Sequence, residues 1–223
     1  ETIYTAINGS RNILEFAKNK RLEGMVYLSS LEIYGVNEKE NIKERDYGYI
    51  DILNPRSSYS ESKKMVETMC ISYGTEYGVP VKIARLAQTF GAGVSISDNR
   101  VFAQFAKAII NKENIILHTK GETKRNYCYT TDAVRGIFTI LTKGENNNAY
   151  NVANKNSYCS ISEMAHLLED EYTKVEYKID EVNRGYNPTV KIALNTEKLN
   201  ALGWEAKVNL KEMFDRLIMN FGK

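Results

Sequence analysis

Two largely apolar runs, separated by one long helical pattern, constrain the fold of this chain more than any other feature. The first run covers residues 24–29 and the second covers Val79–Leu86, and the pattern between them predicts a helix over residues 58–77. Strands that are apolar on both faces are typical of buried parallel sheets, and parallel strands need a long crossover, which is usually a helix. The sequence therefore predicts an α/β fold built on a doubly wound parallel sheet.

Helical and strand patterns continue along the rest of the chain. Further helices are predicted over residues 2–18, 99–111, 161–171 and 209–221 and from a Thr131 or Asp132 cap to Gly144, and further strands over residues 115–118, 125–129, 149–153 and 175–179. Ser57 or Ser58 is expected to cap the helix over residues 58–77, and Gly78 is expected to end it. Asn209 is the expected cap of the closing helix.

Composition and charge exclude several functions. The formal net charge is +2 and there is no dense basic run, so there is no electrostatic case for binding nucleic acid. No apolar stretch approaches the length of a membrane span, so no membrane association is expected. The three cysteines are widely scattered, which is typical of reduced thiols in a cytoplasmic protein. The two histidines are too few and too far apart for a metal cluster, so no metal site is expected.

Tyr59, Lys63 and Ser30 form a candidate proton-handling site. Tyr59 and Lys63 stand one helical turn apart, so the lysine ammonium is expected to lie beside the phenol. A free phenol ionises near pH ~10, and a neighbouring cation favours the phenolate. A second positive charge is expected there, and an oxidised nicotinamide ring would supply it. Ser30 ends the first strand, and its hydroxyl is expected to hold the substrate oxygen that Tyr59 deprotonates.

A series of short motifs follows the order of a known family along nearly the whole chain. These motifs are Leu28-Ser29-Ser30-Leu31-Glu32-Ile33-Tyr34-Gly35, Tyr59-Ser60-Glu61-Ser62-Lys63, Arg85 with Phe90-Gly91, the segment Gly121–Asp132, Tyr150-Asn151-Val152 and Leu202-Gly203-Trp204. They resemble the extended short-chain dehydrogenase/reductases, specifically the NAD-dependent epimerase/dehydratases that act on nucleotide sugars. The resemblance implies the C-terminal part of a Rossmann-like sheet over residues 1–95. Residues 96–223 would form mostly a smaller mixed α/β domain that binds the nucleotide sugar, with some chain returning to the sheet.

The resemblance also implies a mechanism with NAD as the cofactor. Tyr59 would take the proton from a sugar hydroxyl while NAD accepts a hydride from the same carbon. Lys63 would lower the tyrosine pKa and hold the nicotinamide ribose, Ser30 would orient the hydroxyl, and Ser29 and Tyr59 would also contact the cofactor. The transient keto sugar could then be reduced on its other face, lose water or lose carbon dioxide.

Cations and amides along the second half are the expected ligands of a nucleotide-diphosphate sugar. Guanidinium groups suit phosphates, and Arg125 is the first choice for that role, with Arg184 second. Gln88 stands where the resembling family usually has an asparagine near the substrate phosphate. The loop over residues 86–105 is expected to meet the base or the phosphates through Asn99, Arg100 and Phe102.

Glu32 and Leu31 help to distinguish among the reactions of the resembling family: dehydration, epimerisation and decarboxylation. Dehydratases and decarboxylases of the resembling family often carry glutamate at the place of Glu32, where it acts as a base at C5. Leu31 stands where 4,6-dehydratases commonly carry an acidic residue, which argues against complete dehydratase machinery. A 4,6-dehydratase similar to dTDP-glucose 4,6-dehydratases is favoured modestly. The alternatives are a 4-epimerase and a UDP-glucuronate decarboxylase. A cofactor-binding regulator without turnover is the alternative of a different class.

The start of the chain departs from the resembling family. It opens at Glu1 inside a helical pattern, without the opening strand and the Gly-x-x-Gly-x-x-Gly turn that bind the cofactor pyrophosphate. We expect this chain to be the C-terminal part of a longer protein and to bind NAD poorly, without activity, on its own.

The helices over residues 2–18 and 58–77 resemble the dimerising surface of the same family, so a homodimer is predicted. Met65, Met69 and Ile71 could pack either inside the protein or at that interface, and internal packing is expected for most of them.

Overall fold

Helices alternate with strands in the computed structural model, which describes residues 1–179 and 189–222. The helices are α1 (Thr2–Lys20), α2 (Ser57–Tyr77), α3 (Val101–Ile110), α4 (Thr130–Lys143), α5 (Ile161–Glu169), α6 (Glu197–Asn200) and α7 (Leu210–Phe221). The strands are β1 (Met25–Ser30), β2 (Val81–Leu86), β3 (Gln88–Phe90), β4 (Ile115–Leu117), β5 (Lys124–Arg125), β6 (Tyr127–Tyr129), β7 (Ala149–Val152), β8 (Cys159–Ser160), β9 (Val175–Tyr177) and β10 (Lys191–Ile192). Within the described ranges, no helix combines the length and the apolar character needed to cross a membrane.

A parallel sheet of β1, β2 and β7, in that order, underlies the candidate site. Met25 lies opposite Val81, and Ile83 lies opposite Ala149. β2 is the central strand and is buried along almost its whole length, as expected for a strand covered on both faces. The α/β class and the parallel sheet predicted from the sequence are confirmed.

The helices α1 and α2 cover one face of this sheet. Their shared core consists of Leu14, Ala17, Val66, Cys70, Val79, Val81 and Ile83. Gly78 ends α2 with φ +69°, as predicted, because the left-handed conformation costs glycine little. The predicted serine cap is wrong. The helix begins at Ser57 itself, because the preceding turn already holds Arg56 in a helical conformation.

The outer faces of these helices are more apolar than the sequence suggested. Met65 and Ile71 are exposed, and Met69 alone of the three predicted residues packs partly against the core. The expectation of internal packing for most of the three is therefore wrong. On α1, Ile13 and Phe16 are also exposed.

The helix α4 covers the opposite face of the sheet. It begins at Thr130, so the predicted cap at Thr131 or Asp132 is wrong. Asp132 is buried inside the first turn, where its carboxylate accepts hydrogen bonds of 2.9 Å from the backbone amides of Lys207 and Val208. This carboxylate therefore fixes the C-terminal segment instead of capping its own helix. Gly144 follows the helix, as predicted.

Short sheets and a second core build the rest of the chain. β3 pairs with β6, β4 pairs with β9, and β10, β5 and β8 form a sheet in that order. The helices α3 and α7 pack together over a core that includes Phe90, Phe102 and Phe214. Asn209 caps α7, as predicted, by accepting a hydrogen bond of 2.9 Å from the backbone amide of Glu212.

The segment between β1 and α2 is a wall of the candidate site and is folded back on itself. A 3₁₀ turn over Leu31–Tyr34 follows β1, and Gly35 then reverses the chain with φ +61°. A side chain at Gly35 would collide with the carbonyl oxygen of Tyr49, which lies 2.2 Å from the Cβ position. Val36 and Tyr49 pair as an antiparallel bridge. Only glycine permits this close approach.

Candidate active site

A cavity of about 650 Å³ opens beyond the carboxyl ends of β1 and β2. Ligands bind at this edge in parallel α/β sheets. The predicted site residues that line it are Ser29, Ser30, Glu32, Tyr59, Gln88, Arg100 and Arg125. These residues come from five separate segments of the chain, so the fold gathers most of the predicted site at one place.

The two serines that end β1 occupy different environments. The Ser30 hydroxyl accepts a hydrogen bond of 3.2 Å from the Glu32 backbone amide and so caps the 3₁₀ turn. Ser29 is buried, and its hydroxyl is without a hydrogen-bond partner among the described residues. A buried hydroxyl without a partner carries a free-energy cost that a bound polar group would relieve.

Tyr59 lies in the first turn of α2 and is 43% exposed, so its phenol is open to a ligand. Lys63 follows one turn later, with its ammonium nitrogen 5.8 Å from the centre of the Tyr59 ring and 5.0 Å from that of Tyr27. The ammonium donates a hydrogen bond of 2.8 Å to the Leu28 carbonyl oxygen. The α2 helix and β1 together therefore hold the cation beside the phenol, as the spacing predicted.

Burial and charge act in opposite directions on Lys63. Partial burial lowers the pKa of its ammonium, and the negative charge of Glu67, one turn further along α2, raises it. Burial is the larger effect, so the pKa lies below its ordinary value.

Glu32 and Arg125 form an ion pair across the cavity. An Nη1 nitrogen of Arg125 lies 2.9 Å from the Glu32 carboxylate, although the two residues are 93 positions apart in the sequence. The arginine side chain is 14% exposed and the glutamate side chain is 39% exposed. Glu32 follows Ser30 by two residues. The ion pair therefore places a cation and a carboxylate near the Ser30 hydroxyl, which is expected to hold the substrate oxygen.

The predicted substrate residues do not all share this cavity. Arg100 lines it and is paired with Asp98 at 2.6 Å. Asn99 lines a neighbouring cavity of about 430 Å³ instead, and Arg125 borders both cavities. Phe102 contacts neither, because it is fully buried and stacked on Phe90 at 4.3 Å, so its expected ligand contact is wrong. Arg184 lies outside the described residues.

Sequence reasoning missed the wall formed by the segment between β1 and α2. Tyr49, Ile50, Asp51, Asn54 and Arg56 from this segment line the cavity. Arg56 lies one turn before Tyr59 at the start of the same helix. Its spacing from Tyr59 was the signal that could have revealed it.

Fold and site together define a class of protein: an α/β domain in which serine, tyrosine and lysine meet at the carboxyl edge of a parallel sheet. The model of the NAD dependent epimerase/dehydratase family matches residues 1–153, and the chain belongs to that family. The chain is 29% identical over 213 residues to UDP-glucuronic acid decarboxylase 5 of Arabidopsis thaliana, covering 95% of this chain and 61% of the relative. It is 29% identical to UDP-glucuronic acid decarboxylase 1 of Xenopus tropicalis, covering 100% of this chain and 52% of the relative. The chain thus spans about half to three-fifths of the length of these relatives.

Solved structures share the fold. The dTDP-glucose 4,6-dehydratase of Bacillus anthracis in complex with NAD superposes with a TM-score of 0.81 at 20% identity, covering 98% of this chain and 68% of that one. The UDP-glucose 4-epimerase of Thermotoga maritima with UDP-glucose gives a TM-score of 0.80 at 24% identity, covering 98% of this chain and 70% of that one. At this identity the likeness extends to the fold, which is Rossmann-like as predicted.

Membership assigns NAD as the cofactor, and the residues present suit its nicotinamide end. The Ser29 hydroxyl is buried at the cavity and lacks a partner among the described residues, so it can meet a polar group of the cofactor. The Lys63 ammonium is held on the same strand by the carbonyl oxygen of the preceding residue, Leu28. The predicted family and cofactor are therefore confirmed. The curated relatives above carry the name of the decarboxylase alternative and not that of the dehydratase that the sequence favoured.

Proposed function

We propose that the complete protein decarboxylates a nucleotide-linked uronate, with UDP-glucuronate as the substrate, through a 4-keto intermediate. The observation that carries this proposal is the Glu32–Arg125 ion pair beside Ser30 and Tyr59. A uronate differs from an ordinary hexose by a carboxylate on C5, and a guanidinium is the side chain best suited to bind it. The names of the curated relatives support the same reaction.

The residues of this chain have separate parts in the proposed reaction. Ser30 holds the C4 hydroxyl, and Tyr59, as phenolate, takes its proton. NAD, when bound, would supply the acceptor and donor of the C4 hydride. Lys63 stabilises the phenolate and, with Ser29, holds the nicotinamide end.

Oxidation at C4 makes the substrate a β-keto acid. The bond between C5 and the carboxylate then breaks, carbon dioxide leaves, and the electron pair remains as an enolate across C5 and C4. Arg125 holds the carboxylate before it leaves, and Glu32 in turn holds the guanidinium in place. A proton from solvent at C5, a hydride at C4 and the proton held by Tyr59 at the C4 oxygen would complete a UDP-pentose, without net oxidation or reduction.

Leu31 supports decarboxylation over 4,6-dehydration. Loss of the C6 hydroxyl as water needs a proton donor, and the family position for that donor is occupied here by a buried leucine. Loss of carbon dioxide needs no such donor. The 4,6-dehydratase favoured from the sequence is therefore the weaker of the two proposals.

We expect the complete protein, incubated with NAD and UDP-glucuronate, to form a UDP-pentose and carbon dioxide. Mass spectrometry separates the alternatives, because decarboxylation removes the mass of carbon dioxide, dehydration of dTDP-glucose removes the mass of water, and epimerisation leaves the mass unchanged. Absorbance of NADH reports whether the hydride is returned.

The variant that tests this proposal in the same assay is Arg125→Met, which removes the guanidinium proposed to bind the substrate carboxylate. It should lower turnover of UDP-glucuronate by about 10²-fold or more, because a bidentate charged contact to the reacting group is lost. Product of unchanged mass, or loss of water from dTDP-glucose alone, contradicts the decarboxylase proposal. If the protein turns over no nucleotide sugar, the alternative of a cofactor-binding regulator without turnover is favoured.

We also propose that the protein is a homodimer through α1 and α2. Ile13 and Phe16 on α1 and Met65 and Ile71 on α2 are exposed apolar side chains on two helices that pack side by side. Two such pairs packed together would remove these side chains from water, and burial of apolar surface favours association.

The double variant Phe16→Glu/Met65→Glu is expected to shift the protein from dimer to monomer in light scattering, because it places two charges in the buried patch. Met219→Glu, on α7, is the control, since Met219 is also exposed and lies outside this surface. A wild-type monomer, or a variant that remains a dimer, contradicts the proposed interface.

A further inference from the structure

A buried ion pair lies directly behind the candidate site and is not explained by the proposed reaction. Arg85 on β2 and Glu67 on α2 are both almost entirely buried. The guanidinium donates two hydrogen bonds to the carboxylate, of 3.0 Å from Nε and 2.6 Å from Nη2. Buried charges are costly, so a pair retained at this place calls for an explanation beyond stability.

The remaining contacts of Arg85 leave the Glu67 carboxylate in one orientation. The guanidinium also donates to the Tyr34 hydroxyl at 3.0 Å, to the Tyr47 hydroxyl at 2.9 Å and to the Glu44 carbonyl oxygen. Its donors are therefore held by α2 and by the segment between β1 and α2. A guanidinium fixed in this way fixes the carboxylate that it grips.

Glu67 stands one helical turn after Lys63, and Lys63 one turn after Tyr59. Residues spaced by four share one face of a helix, so the carboxylate, the ammonium and the phenol follow one another along α2. Lys63 itself bonds to the Leu28 carbonyl oxygen and not to Glu67. Glu67 therefore acts on Lys63 through its charge, from one turn further along the helix.

Other titratable groups face the same region. They are Tyr27 from β1, Arg85 from β2, Tyr34 and Tyr47 from the segment after β1, and Tyr59 and Cys70 from α2. Burial raises the pKa of Tyr27 and Cys70, so both are neutral near pH 7. Arg85 is the remaining cation, and its charge is directed at Glu67.

We propose that Glu67, fixed by Arg85, is a positioning residue for Lys63: it is the buried negative charge that keeps the lysine ammonium charged beside Tyr59. The importance of that charge for turnover rests on the proposed function. In this arrangement Arg85 orients the Glu67 carboxylate, and the negative charge of Glu67 favours the charged form of Lys63. Burial alone acts against the ammonium, and Glu67 offsets part of that effect.

The test measures the titration of Lys63 directly in the complete protein. Acetic anhydride labels neutral amines, and mass spectrometry of the peptide that contains Lys63 gives the midpoint of labelling against pH. In Glu67→Gln the midpoint should fall by about one pH unit, because a carboxylate one turn away no longer stabilises the charged amine. The alkaline limit of turnover should fall with it.

Three variants separate charge from structure. Glu67→Asp keeps the charge and should restore the midpoint. Tyr34→Phe removes a different partner of Arg85 and should leave the midpoint unchanged, even where it lowers stability. Glu67→Met/Arg85→Met removes the carboxylate without leaving an unpaired cation. It should lower the midpoint by less than Glu67→Gln does, because the charge of Arg85 is removed as well, and it keeps the test decisive if Glu67→Gln does not fold.

A Lys63 midpoint that is the same in wild type, Glu67→Gln and the double methionine variant overturns the proposal. An equal fall in Tyr34→Phe also overturns it, because the effect would then be structural. The labelling needs no substrate. If the wild-type protein makes no pentose from UDP-glucuronate, the proposed function fails while the labelling still tests the role of Glu67.

Discussion

Replacement of Tyr59 by phenylalanine is expected to lower turnover of the complete protein by about 10²–10⁴-fold, the usual contribution of a general base. The variant retains the ring and loses only the hydroxyl that takes the substrate proton. Because the phenol is 43% exposed at the cavity, its loss should leave the fold intact. Initial rates with UDP-glucuronate and NAD, together with the melting temperature, measure both effects.

Tyr77→Phe is the matched control for this prediction. Tyr77 lies on the same helix and is half exposed. Its ring makes a cation–π contact with Lys18 and an edge-to-face contact with Tyr73, and it does not line the cavity. It should retain wild-type turnover. If Tyr59→Phe turns over substrate within a few-fold of the wild-type rate, Tyr59 is not the general base. That result would contradict the proposed mechanism.

Replacement of Arg85 by methionine is expected to destabilise the protein by about 3–5 kcal/mol, which is the cost of removing one partner of a buried ion pair. The Glu67 carboxylate would remain in the interior without its two charged hydrogen bonds. Tyr34 and Tyr47 would each lose a donor as well. Urea unfolding followed by circular dichroism measures the change in the free energy of unfolding.

Lys124→Met is the control for Arg85→Met. It breaks the pair between Lys124 and Glu163, whose side chains are 28% and 55% exposed. Exposed pairs contribute less than about 1 kcal/mol, so this variant should unfold near the wild-type midpoint. If both variants lose the same free energy of unfolding, the buried ion pair of Arg85 contributes no more to stability than an exposed pair, which contradicts the prediction.

The sequence was sufficient for the parts of the site that lie on regular elements. Ser30 follows from an apolar run that ends at a strand terminus, and Tyr59 and Lys63 follow from the spacing of a helix. These features depend on a few neighbouring residues, so the amino-acid order contains them. The ends of α2 and α7 at Gly78 and Asn209 are local for the same reason.

Contacts between residues that are far apart in the chain could not be predicted from the sequence. Nothing local links Glu32 to Arg125, which meet only because β5 lies across the cavity from the end of β1. An arginine alone does not reveal its partner, so the sequence predicted a role for Arg125 without its ion pair to Glu32. Phe102 was placed at the ligand because the side of α3 that it occupies depends on packing against Phe90. The cavity wall was missed because its turn is set by close contact at Gly35.

The position of Arg125 between two cavities has a consequence for the order of binding. Because the guanidinium is already paired with Glu32, an anion in either cavity would compete with that carboxylate for it. A nucleotide fragment that enters the smaller cavity first would draw the cation toward itself and leave the glutamate more exposed. A charge bound in one cavity would therefore change the electrostatics of the other.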